Sequence, residues 1–67
     1  MKITVNGESR CFDAPLSIAG LLSSLGIAVG KVAIERNLEI VPKSAYDTID
    51  LSDGDRIEIV HFIGGGA

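Results

Sequence analysis

Tryptophan is absent from this chain of 67 residues, and it has one histidine (His61), one cysteine (Cys11), two prolines and three aromatic rings, Phe12, Tyr46 and Phe62. A lone cysteine closes no internal disulfide, and with a single histidine beside it there is no ligand set for zinc. No metal is expected, and packing alone must supply the stability. Three scattered rings make no base-stacking platform. Lys and Arg number 6 against 9 Asp and Glu, a net charge of −3, and the positive residues are dispersed. Nucleic-acid binding needs a concentrated basic face, so a basic protein partner suits this chain better. No run approaches the ~18 apolar residues of a membrane helix, and Met1-Lys2-Ile3-Thr4 does not lead into the apolar segment of a signal peptide. The expectations are no nucleic acid, no membrane and a cytoplasmic location. A large catalytic cleft is excluded by size, because so small a domain buries only about 60% of the surface its unfolded chain exposes.

What is present is a compact apolar domain, 46% hydrophobic and too apolar for disorder. Met1 to Val5 alternates apolar and polar with period two, the mark of a half-buried strand. Asn6-Gly7 favours the positive backbone angles of a two-residue type I′ hairpin, so residues 8–13 should return antiparallel with Phe12 toward the core. Cys11, with no basic neighbour in sequence to lower its pKa, reads as an inert strand thiol. After Ala14-Pro15-Leu16, the spacing of Ile18, Leu21, Leu22 and Leu25 gives one helical stripe over 17–25, with Ser17 as N-cap and Gly26 as the left-handed stop. Gly20 weakens that helix by about 1 kcal/mol relative to alanine, which tertiary packing must offset.

Residues 27–30 read as a connector and 32–36 as a strand with Val32 and Ile34 on one face. Asn37-Leu38 makes a second reversal of uncertain geometry, and Ile40-Val41 a short edge strand closed by Pro42. Ser44 and Asp47 approximate a capping box for a single helical turn. Asp53-Gly54-Asp55 lacks the ligand spacing of a calcium loop, since Arg56 and Ile57 follow at once; it is a turn entering the last strand. In that strand Ile57 and Ile59 share the core face, and His61 follows them by alternation as a structural residue. Glu58, Val60 and Phe62 share the opposite, uncovered face. The order of elements is that of a β-grasp roll: α+β, a mixed sheet with one main helix on one face, and the last strand central and parallel to the first.

The strand runs into Ile63-Gly64-Gly65-Gly66-Ala67. Glycines without Cβ pass through slots too narrow for side chains, and Gly64 to Gly66 fully extended reach roughly 10 Å. By itself such an end is equally the composition of a frayed terminus. Beside exposed Val60 and Phe62 it reads as a flexible tail, residues 64–67, next to a partner-docking patch on a single domain of residues 1–67.

The stretches Ile3-Thr4-Val5-Asn6-Gly7-Glu8, Val32-Ala33-Ile34-Glu35-Arg36-Asn37, Ile40-Val41-Pro42-Lys43-Ser44 and, most specifically, Asp53 to Gly66 resemble the ThiS family of ubiquitin-like sulfur carriers in thiamine thiazole biosynthesis. The resemblance implies a protein co-substrate with no catalytic residues of its own and no bound cofactor. A ubiquitin-activating-type adenylyltransferase consumes ATP to adenylate the terminal glycine, Gly66, which follows Gly64 and Gly65. A sulfur-relay donor then converts it to a thiocarboxylate, and thiazole synthase takes the sulfur. Activation is chemically necessary, because a terminal carboxylate of pKa roughly 3.3 to 3.7 is an anion and a poor electrophile. Ala67 departs from the family's glycine ending, and the expectation is that it is removed before activation. The rival readings are the small subunit of molybdopterin synthase, a binding-only ubiquitin-like module with an inert tail, and a covalent protein tag.

Overall fold

The computed structural model of the chain describes residues 1–62. Five strands form one sheet in the order β2-β1-β5-β3-β4. They are β1 (Lys2–Val5), β2 (Glu8–Cys11), β3 (Val32–Arg36), β4 (Glu39–Val41) and β5 (Arg56–His61), and a single α-helix, α1 (Ile18–Ser24), packs across one face. This is the expected β-grasp roll. β5 lies centrally, parallel to β1 and antiparallel to β3.

Both hairpins turn through residues with positive φ. Asn6 (φ 50°) and Gly7 (φ 84°) join β1 to β2, and Asn37 (φ 51°) and Leu38 (φ 72°) join β3 to β4. Two central residues of positive φ make a type I′ turn, whose twist matches that of the flanking strands. The open question at Asn37-Leu38 is thereby answered, with Leu38 in a conformation that glycine adopts more easily. α1 begins as the sequence predicts: the Ser17 hydroxyl accepts a hydrogen bond from the Gly20 amide at 3.0 Å, and Gly26 follows the helix at φ 71°. A Cβ on Gly20 would stand 3.0 Å from Leu16 Cδ1, so packing explains a residue that propensity disfavours.

Three of the sequence's expectations change. Phe12 packs against the core but is only partly buried, because β2 is an edge strand exposed along its whole length. The helical turn is a 3₁₀ turn at Lys43–Ala45, one residue earlier than the Ser44 start, with Pro42 at its N-cap and no side-chain cap. Ser44 lies inside the turn and not at its N-cap. A further 3₁₀ turn, Val29–Lys31, occupies the end of the expected connector. Tyr46, assigned no core role by periodicity, is only 2% exposed. Its carbonyl accepts from the Ala19 amide at 2.9 Å, and Leu51 donates to the Leu16 carbonyl at 2.8 Å. Residues 46–51 are laced in this way to the start of α1 and close the core there. No helix among the described residues is long and apolar enough to cross a membrane.

Candidate functional site: the outer face and exit of the central strand

Asp55 sets where β5 starts. It is a buried carboxylate accepting from the Ser52 amide (2.8 Å), Asn37 Nδ2 (3.1 Å) and Arg36 Nε (2.8 Å). Burial pushes its carboxyl up, but the hydrogen bonds from Ser52, Asn37 and Arg36 and the Arg36 charge outweigh that, and the net effect holds it below its ordinary value. Such a group stays ionised and keeps all three donors aimed at it.

The two hairpin asparagines then clasp β5 from either side. Beyond Val5, β1 turns away, and the Asn6 side chain takes over its ladder: Oδ1 accepts from the Ile59 amide at 2.7 Å and Nδ2 donates to the Ile59 carbonyl at 3.3 Å. On the β3 side, Asn37 Oδ1 accepts from the Arg56 amide at 2.9 Å. Each asparagine supplies positive φ at a turn and a peptide-like side chain to a strand that has lost its neighbour. Asn6→Gly keeps the turn and removes the clasp, and it is expected to lower stability by about 1–2 kcal/mol. Hydrogen exchange at the Ile59 amide should accelerate more than at Ile57; unchanged protection at Ile59 would discount the clasp.

β5 is held to its end. The Phe62 amide donates to the Lys31 carbonyl at 2.9 Å, and Lys43 Nζ lies 5.6 Å from the centroid of the Phe62 ring, within cation–π range. Ile57 and Ile59 are buried, whereas Val60 (52%) and Phe62 (54%) are exposed, so the two residues that alternation assigns to the uncovered face do lie on it. Ala33 is the cross-strand partner of Val60, and Glu35 that of Glu58. Glu35 is in turn opposite Ile40 of β4, itself 76% exposed. An apolar patch flanked by two acids therefore covers this side of β3, β4 and β5. His61 is exposed at the strand end, and Cys11 is an exposed free thiol on the far edge strand. Gly64, Gly65 and Gly66, with Ile63 and Ala67, lie outside the described residues. Sequence reasoning did not reach Asn6, Asn37 or Asp55 as organisers of β5. The signal for the acids was available, since Glu35 alternates out of phase with buried Val32 and Ile34.

The profile of the ThiS family matches residues 3–66, from β1 through the three glycines. The chain belongs to the ThiS family. The sulfur carrier protein ThiS of Bacillus subtilis is 48% identical over 50 residues, covering 75% of this chain and 76% of that one. A thiazole synthase of Paramagnetospirillum magneticum is 55% identical over all 67 residues, but the chain spans only 21% of that relative's length. Among solved structures, the crystal structure of a thiamine biosynthesis protein (ThiS) from Geobacter metallireducens superposes with a TM-score of 0.84 at 38% identity. That match covers 98% of this chain and 100% of the other.

Proposed function

We propose that this chain is a sulfur carrier of thiamine biosynthesis that delivers sulfur to thiazole synthase as a thiocarboxylate on Gly66. The observation that supports the reading is the family match over residues 3–66, which takes in the β-grasp body and Gly64, Gly65 and Gly66. A ubiquitin-activating-type adenylyltransferase joins the glycine carboxylate to the α-phosphate of ATP and releases pyrophosphate. Sulfide released by a relay donor then attacks the acyl carbon, forming the C–S bond of the thiocarboxylate as the C–O bond to AMP breaks and AMP leaves. Glycine suits each step, because ATP, the sulfur donor and the acceptor must in turn reach one carbonyl with no side chain beside it. The body contributes presentation: β5 is fixed as far as the Phe62 amide, and Val60 and Phe62 offer apolar surface to the partner that holds the tail. Where the chain ends at Ala67, that residue is removed before activation.

The thiazole reading is supported over the molybdopterin one by relatives named thiazole synthase that contain a segment matching this chain. The test is intact mass after incubation with ATP, a ubiquitin-activating-type enzyme and a sulfur source, using chains ending at Gly66 and at Ala67. The expected outcome is replacement of one oxygen by sulfur on Gly66 in the shorter chain only. No mass change points to a binding-only module, conjugates on lysines point to a tag, and sulfur on Ala67 refutes the trimming step. Turnover by thiazole synthase, against molybdopterin formation, then identifies the acceptor.

A further inference from the structure

We infer that Glu35 and Glu58 are specificity residues of the docking face, and that the adenylating partner covers Val60 and Phe62 with an apolar surface bearing one arginine or lysine that lands between the two carboxylates. The inference rests on the sulfur-carrier reading and adds the chemistry of the surface that reads the body.

The phase of the β3–β5 ladder places the two acids together. The Phe62 amide bonds to the Lys31 carbonyl, so the hydrogen-bonded pairs are every second residue from there: Ala33 with Val60, then Glu35 with Glu58. Cα atoms of such a pair stand about 5.5 Å apart, with both side chains on one face. Like charges directly opposite each other destabilise a sheet, and the domain does little to relieve this pair. Arg56 Nε reaches Glu58 at 3.3 Å from a largely exposed position, and none of the three ion pairs among the described residues involves Glu35. The other neighbour of Glu35 is the exposed Ile40. A half-buried acid between a like charge and an apolar side chain is placed poorly for stability and well for a cation arriving from outside. The overall charge of −3 has the sign that draws such a surface in, and complementary charge chiefly sets encounter rate and partner choice.

Stability and docking should therefore move in opposite directions. In the chain ending at Gly66, Glu35→Gln is expected to leave the melting temperature unchanged or raised, and to raise the KM for thiocarboxylate formation by about 5-fold at low salt with kcat unaltered. The KM of the wild type should rise with salt more steeply than that of the variant. Glu35→Lys can pair with Glu58 and should be no less stable than the wild type, yet dock at least about 10-fold worse, since it sets a cation against the partner's cation. A wild-type chain that binds the enzyme but takes no sulfur overturns the carrier reading. A wild-type chain that is charged normally, matched by both variants at every salt concentration, overturns the role of Glu35 alone.

Discussion

Deleting Gly65, Gly66 and Ala67 is expected to abolish thiocarboxylate formation and thiazole synthesis while leaving the domain as stable as before. Every core residue described lies at or before Ile59, and the last described ladder bond is made by the Phe62 amide. The truncation leaves these intact, so its effect on stability should stay within about 0.5 kcal/mol. Its effect on chemistry should be total. The new terminal carboxylate, on Gly64, falls two residues short, roughly 7 Å at full extension. Misplacing a reacting group by even about 1 Å can slow a reaction 100-fold. Mass spectrometry for sulfur, paired with a thermal melt, separates the two effects. Thiazole formation that survives the deletion would remove the tail from the mechanism altogether.

Replacing Asp55 should do the reverse, loosening the body while the tail chemistry itself is untouched. Asp55→Ala leaves the Arg36 guanidinium, the Asn37 amide and the Ser52 N–H without their shared acceptor. Breaking a buried charge pair costs about 3–5 kcal/mol; Arg36 retains 27% exposure, which argues for about 3. At 4–8 °C per kcal/mol for a domain of this size, the melting temperature should fall by roughly 12–24 °C. The pH dependence has a definite sign. The folded carboxyl sits below its ordinary 3.8, so the unfolded chain takes up the proton first. The stabilisation is fully present above about pH 4 and drains away as pH falls through 3.8 toward the lower folded value. Urea titrations at pH 7 and pH 3 should therefore show a wide gap between wild type and Asp55→Asn at the higher pH, narrowing at the lower. A gap of equal width at both would assign the stabilisation to the shape of the side chain and not to its charge.

The two experiments divide the molecule at the end of β5, and the sequence was legible to different depths on either side of that point. Alternation at Ile57, Ile59, Val60 and Phe62 assigned the two faces of the strand correctly, because period two fixes which side chains share a face. Asn6-Gly7 announced its turn, since few residues tolerate two successive positive φ angles. The Asn6 side chain's second task was not legible. Its bonds to Ile59 span 53 residues, and no local pattern encodes which strand will stop beside which. Tyr46 was missed for a related reason: it belongs to an irregular segment, and its burial depends on where α1 begins rather than on any periodicity of its own.

Composition, periodicity and the glycine run determined on their own that this is a small apolar α+β domain with one helix, an uncovered sheet face and three consecutive residues without side chains, Gly64 to Gly66. Those properties follow from local spacing and from the limits that size and charge impose. Only the tertiary structure decided that an acid would meet an acid across β3 and β5, that two turn asparagines would complete the central strand, and that a buried Asp55 would anchor its start. Each depends on register between segments far apart in the chain, and register is set by how the whole core packs.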